Sequence, residues 1–160
     1  MKLIKNYEYN PITPEPFEIP FPVYFELYYK DIQLATYRIA DELWIDYTFD
    51  NTYGIPIITP EREPISIDDI YFLLTCRVFR KNYPGIVQEL KLLGLNEYNP
   101  YYIVKKTHGL MQNDMYWIKF PGEDDVDSYE KAVENFQKLH TIESEANDGL
   151  QALYEKSFLL

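Results

Sequence analysis

From Pro22 to Tyr29 polar and apolar positions alternate in a run rich in Val, Tyr and Phe. A period of two is the signature of a half-buried strand. Lys30-Asp31 reads as a tight turn into a second such run, Ile32 to Ile39. Ala40-Asp41-Glu42 leads to a third, Leu43 to Phe49, in which Trp44, Asp46 and Thr48 share one face and Ile45, Tyr47 and Phe49 the other. Short connections between strand-like runs predict an antiparallel meander. Gly54, Pro56, Pro60 and Pro64 then break residues 50–64 into a loop, within which Ile55 to Thr59 reads as a short edge strand.

The period changes after Pro64. Ile67, Ile70, Tyr71, Leu74 and Val78 recur at helical spacing, predicting a helix to about Lys81. Ser66 and Asp69 stand as a capping box with Asp in the Glu position, and Arg77, Arg80 and Lys81 fall in the last turns, where cations suit the helix dipole. A second helix is predicted from Pro84 to Leu93, stopped by Gly94, and a third from Asn99-Pro100 to Lys106. A turn built on Gly109 and Asn113-Asp114 opens a strand to Phe120. Beyond the acidic loop Pro121–Asp127, helices are predicted over Ser128–His140 and about Ser144–Phe158. Pro11, Pro14, Pro16 and Pro20 make residues 1–21 an extended arm. The predicted architecture is α+β: one domain over 22–160, with a meander of three to four strands (22–64) packed on helices (65–107), a strand (113–120) and C-terminal helices (128–158).

Composition narrows the function classes. The chain has 160 residues and one cysteine, Cys76, so internal disulfides and cysteine-rich zinc sites are excluded. No apolar run approaches a membrane span and no signal-peptide pattern is present, which reads as a cytoplasmic protein without a membrane partner. The net charge of −11 is uneven: residues 1–65 carry five Lys/Arg against eleven Asp/Glu, residues 66–120 seven against five, and residues 121–160 three against ten. Acidity of this kind keeps a tyrosine-rich surface soluble, or lets it dock on a basic groove. It makes direct, non-specific nucleic-acid binding unfavourable.

Reaction chemistry is sparse. The six glycines form no phosphate loop, and no nucleophile elbow occurs. His108 and His140 stand in no metal-ligand spacing; His108 reads as a structural residue at a helix exit, and His140 as a helix-ending residue suited to the dipole. Cys76 reads as a buried, inert thiol. Glu123, Asp124, Asp125 and Asp127 depart from the calcium-loop spacing and are expected to be solvated, available to Lys and Arg of a partner. No cofactor or metal is expected. Sixteen tyrosines suit strands and also contact surfaces.

Tyr29-Lys30-Asp31-Ile32, the helical stretch around Arg77, and Gly109-Leu110 followed by Asp114-Met115-Tyr116-Trp117-Ile118-Lys119 form an ordered set of short motifs. Over residues 22–120 the chain resembles the N-terminal region of HipA-like proteins from phages and mobile elements of low-GC Gram-positive bacteria. Those proteins continue into a kinase-like domain, whereas this sequence runs 40 residues past Phe120 with none of the kinase elements. The resemblance implies a freestanding accessory domain and carries over no catalytic residue.

Two functions are therefore expected as alternatives. One is a non-enzymatic module that binds and modulates a host protein with a basic groove, such as an anti-phage defence nuclease, in the manner of an anti-CRISPR protein. It would use Glu123, Asp124, Asp125 and Asp127, with Asp41, Glu42, Asp46 and Asp50 as a second patch. The other is a helix-turn-helix-like DNA-binding regulator using Arg77, Arg80, Lys81, Lys105 and Lys106, although the short reading helix carries no side chain poised for base edges.

Overall fold

Residues 14–50, 52–56, 65–123 and 126–146 are described by the computed structural model, the last six of them as helix backbone only. Three strands form the meander: β1 (Val23–Tyr29), β2 (Ile32–Ile39) and β3 (Ile45–Phe49). Helices α1 (Ile67–Cys76), α2 (Ile86–Leu92) and α3 (Pro100–Thr107) follow, then β4 (Tyr116–Lys119) and α4 (Tyr129–Ala146). The sheet is antiparallel throughout, in the order β3-β2-β1-β4. The expected α+β fold with its N-terminal meander is the observed one.

Alternation decides what each sheet face does. Val23, Phe25 and Leu27 of β1, with Tyr37 and Ile39 of β2 and Ile118 of β4, turn to one side and are buried with Ile70, Leu74, Ile103 and Val104 of the helices. A bulge between Leu27 and Tyr28 lets the consecutive residues Leu34 and Ala35 both be buried. Among the described residues, the opposite face is covered near β4. There Trp117, fully buried, packs with Val126 and Ala132 under Tyr28, Leu110 and Tyr129. Farther along, Tyr24, Glu26, Thr36 and Arg38 remain at least partly accessible.

Helix boundaries follow their caps. Asp69 reaches back to the Ser66 backbone N–H at 2.8 Å, completing the start of α1. Asn99 accepts from Tyr101 N–H at 2.9 Å, and Pro100 opens α3 where a missing N–H costs nothing. Asn99 also donates to the Glu18 carbonyl at 2.9 Å, and Phe17 packs edge-on against Tyr71 at 4.9 Å. Residues 14–21 therefore lie on the body; the rest of the expected arm is outside the described residues.

Three boundaries differ from those read off the sequence. α1 stops at Cys76, because Arg77 turns into the interior rather than continuing a solvent-facing last turn. α4 runs unbroken through the expected gap at 141–143 to Ala146, and the remainder of the second expected helix is outside the described residues. Ile55 and Pro56 are not in a strand, and 57–59 are outside the described residues. Cys76 is half-exposed rather than buried.

Candidate interaction surface

The turn between β2 and β3 holds two strongly exposed apolar side chains, Leu43 (88%) and Trp44 (72%). Asp41 builds that turn: its carboxylate accepts from the N–H groups of Leu43 (2.8 Å) and Trp44 (3.0 Å). Bonding its own backbone, Asp41 fixes the direction in which the two apolar side chains project. Glu42 is exposed in the same turn and Asp46 on the strand that follows, while Asp50, also exposed, lies past the far end of β3. The four acidic residues expected as a second patch thus lie on one hairpin and strand. The alternation of residues 43–49 placed Trp44 on one face with Asp46 and Thr48, but did not show that it would share a turn with an exposed Leu43 and two carboxylates.

The 123–127 loop differs from its expected form. Glu123 is half-buried and turned inward, with Lys105 Nζ at 2.8 Å on one oxygen and His108 Nε2 at 3.3 Å on the other. Lys105 also lies 4.2 Å from the centre of the Phe120 ring. Asp127 is exposed, and Asp124 and Asp125 are outside the described residues. A loop reversing between a strand and a helix must satisfy His108 and Lys105 beneath it, and Glu123 does so.

Of the five cations in the alternative reading, Arg77 is only 4% exposed. Its Nη1 and Nη2 each donate to one Asp114 oxygen at 2.8 Å, Nη2 also to the Tyr116 carbonyl (3.0 Å), and Nε to the Gly109 carbonyl (3.0 Å). It does not reach a phosphate. Lys105 is committed to Glu123, whereas Arg80, Lys81 and Lys106 are exposed. The planar fork of Arg matches carboxylate geometry, which a sequence cannot distinguish from a surface cation.

The motifs behind the resemblance converge in space. Lys30 N–H donates to the Met115 carbonyl (2.9 Å), the Trp117 indole donates to the Lys30 carbonyl (2.5 Å), and Asp31 accepts from Tyr129 N–H at the start of α4 (3.0 Å). Gly109 has φ +63, and a Cβ there would sit 3.2 Å from the Cβ of Arg77. These residues join β1, β4, α1 and α4. Their arrangement builds the fold, these groups bonding to one another.

Two recesses lie among the described residues. One, of about 150 Å³, is lined mainly by apolar groups including Val78, Phe79, Ile103 and Phe136, and is smaller than the roughly 300–1,000 Å³ usual for small-molecule sites. The other, about 480 Å³, is shallow and lined by Tyr24, Glu26, Lys119, Glu123 and Asp127. The aliphatic hydroxyl in these linings, Thr107, donates to its own helix at the Ile103 carbonyl (3.0 Å). No grouping of His, Cys, Asp and Glu fit to hold a metal occurs among the described residues.

Both histidines are structural. His108 caps α3 in the left-handed region, its Nδ1 facing the Ile118 carbonyl at 3.0 Å. Burial pushes its pKa below the usual 6.5, against the Ile118 bond and the Glu123 charge. His140, within α4 rather than at its end, lies 2.9 Å from both Glu89 Oε1 and the Phe136 carbonyl. Burial works against its charge, but those two bonds and the Glu89 carboxylate outweigh it and raise the pKa above 6.5. The linkage signs are opposite. The His140 contribution is full below about pH 6.5 and is lost as pH rises through its raised folded pKa; that of His108 is present above about 6.5 and is lost as pH falls through its lowered one. Thermal midpoints between about pH 5 and 9 should show His140→Gln flattening the alkaline decline while leaving the acid limb in place. An unchanged alkaline slope would contradict the pairing with Glu89.

Comparisons with family models, with curated proteins and with solved structures found no match to this chain. No helix among the described residues is long and apolar enough to cross a membrane.

Proposed function

We propose that this protein is a non-enzymatic binding module. It docks on a host protein through an acidic, aromatic surface and inhibits it by occupying a basic groove that otherwise holds nucleic acid. A phage or mobile-element origin, implied by the resemblance, makes an anti-phage defence nuclease the natural target. The observation that carries the reading is the β2–β3 turn, where Leu43 and Trp44 project into solvent within a ring of Asp41, Glu42 and Asp46. Exposed Trp is costly unless used, and Trp anchors dominate binding energy at interfaces. Carboxylates around it steer the protein toward Lys and Arg and away from phosphate. Direct DNA regulation would have to proceed without Arg77, on Arg80, Lys81 and Lys106 alone.

Tagged protein incubated with host extract should retain a partner that duplex DNA or raised salt displaces. The double variant Leu43→Ser/Trp44→Ser should lose at least about tenfold of that retention. Because both side chains are exposed, its thermal midpoint should move by no more than about 2 °C. Equal retention by the variant would count against the reading, as would a salt-sensitive gel shift of duplex DNA by the protein alone.

A further inference from the structure

His108 ends α3 with its ring buried between two acceptors. Its Nδ1 lies 3.0 Å from the Ile118 carbonyl, and its Nε2 lies 3.3 Å from a Glu123 carboxylate oxygen. A neutral imidazole carries one N–H, so only the imidazolium can donate to both neighbours. The Ile118 carbonyl is fixed in β4, where Ile118 N–H in turn donates to the His108 carbonyl (2.7 Å). The neutral ring therefore keeps its proton on Nδ1, and its Nε2 lone pair is left facing a carboxylate. Of the two acceptors, the side chain of Glu123 is the one free to give way.

Two charged groups act on the ring among the described residues. Glu123 favours a proton on it, and Lys105, from its own helix, opposes one. β4 and the residue after it present the Ile118 carbonyl and the rings of Trp117 (6.3 Å) and Phe120 (6.1 Å), none of which titrates. Lys105 holds the other Glu123 oxygen at 2.8 Å, a contact that needs no proton on His108. The turn at 121–123 closes with Glu123 N–H donating to the Phe120 carbonyl at 3.2 Å, a long bond. Its position therefore leans on the Glu123 side chain.

We infer that His108 and Glu123 form a proton-operated latch on the turn at 121–123, engaged when a proton lies between Nε2 and the carboxylate and loosened when it leaves. The coupling is reciprocal: the inward carboxylate raises the ring's hold on a proton, so the proton raises the ring's hold on the carboxylate. Its direction within the folded state is opposite to that of overall stability. Burying an imidazolium costs free energy, so acid weakens the fold through His108. Glu123 offsets that cost only while turned inward, so acid also tightens the turn. Because burial lowers the ring's pKa below 6.5, the latch engages as pH falls through that lowered value. Above it Lys105 alone holds Glu123, and the carboxylate swings toward the recess that it lines with Glu26, Lys119 and Asp127. The inference goes beyond the binding reading and stands without it.

The test follows the His108 ring and the Gly122 and Glu123 amides by NMR of the isotopically labelled full chain between about pH 4.5 and 8. The neutral ring should carry its proton on Nδ1, titrate below 6.5, and share its midpoint with the shifts of both amides. Exchange of the Glu123 amide, corrected for its intrinsic rate, should slow at least about fivefold as the latch engages. Glu123→Gln places an N–H donor opposite Nε2, so its amides should hold the low-pH position throughout while the ring titrates lower still. Lys105→Met removes the hold that needs no proton, so the amide shifts should grow. A neutral ring protonated on Nε2, amides that ignore the His108 midpoint, or a wild-type transition in Glu123→Gln would each overturn the latch. The wild-type tautomer and midpoints decide the matter even where a variant folds poorly.

Discussion

Arg77→Ala should lower stability by about 3–5 kcal/mol, the range for breaking a buried ion pair from one side. The residue is 4% exposed, and its guanidinium makes four hydrogen bonds to Asp114, Gly109 and Tyr116. Its removal strands the Asp114 carboxylate and leaves the Gly109 and Tyr116 carbonyls without their donor. At about 2–4 °C per kcal/mol for a domain of this size, the midpoint should fall by roughly 10 °C. Arg77→Lys should recover less than half of the loss, because an ammonium cannot reproduce the fork. Arg77→Met/Asp114→Leu should be less damaging than Arg77→Ala, since no charge is then left unpaired. Denaturant unfolding of the three variants measures each term, and near-wild-type stability of Arg77→Ala would refute the role assigned here.

Trp117→Ala should cost a similar amount, about 3–5 kcal/mol, through lost apolar burial and the cavity left behind. Trp117 is fully buried between the sheet and the start of α4, and its indole N–H is the donor to the Lys30 carbonyl. The loss should be local as well as global: amides of α4 should exchange faster relative to those of β1 and β2. Trp117→Phe should retain α4 but give up the hydrogen bond, at an intermediate cost of about 1–3 kcal/mol. The chain has two tryptophans, so this variant also leaves exposed Trp44 as the sole indole reporter of partner binding. Uniform exchange across Trp117→Ala and wild type would show that α4 is held by something else.

These two residues mark what the sequence could and could not reveal. The strands of the meander were legible because alternation with a period of two is a local property that burial on one face enforces. The capping box of Ser66 and Asp69 and the Asn99-Pro100 start were legible for the same reason: a cap is made by neighbours in sequence. Arg77 was not, because a cation at the end of a helical repeat looks the same whether it meets solvent or an aspartate from a distant loop. Glu123 and His140 were misplaced by the same blindness to partners far along the chain, Lys105 and His108 for one, Glu89 for the other. The motifs Tyr29-Lys30-Asp31-Ile32 and Asp114-Met115-Tyr116-Trp117-Ile118-Lys119 are rich in polar and aromatic groups. Those groups meet one another, tying Lys30 and Asp31 to Trp117 and Tyr129. The candidate surface was half legible: Asp41, Glu42, Asp46 and Asp50 are close in sequence and share the β2–β3 hairpin, whereas the inward turn of Glu123 depends on Lys105 and His108 in another element.

The central claim about the fold is that it seals the β4 edge with its own side chains and a helix cap. Amide hydrogen exchange on the isolated protein measures this directly. Tyr116, whose N–H donates to Asp114, and Ile118, whose N–H donates to the His108 carbonyl, should exchange only with global unfolding. Exchange of Tyr116 and Ile118 through local fluctuation, well before global unfolding, would contradict the account.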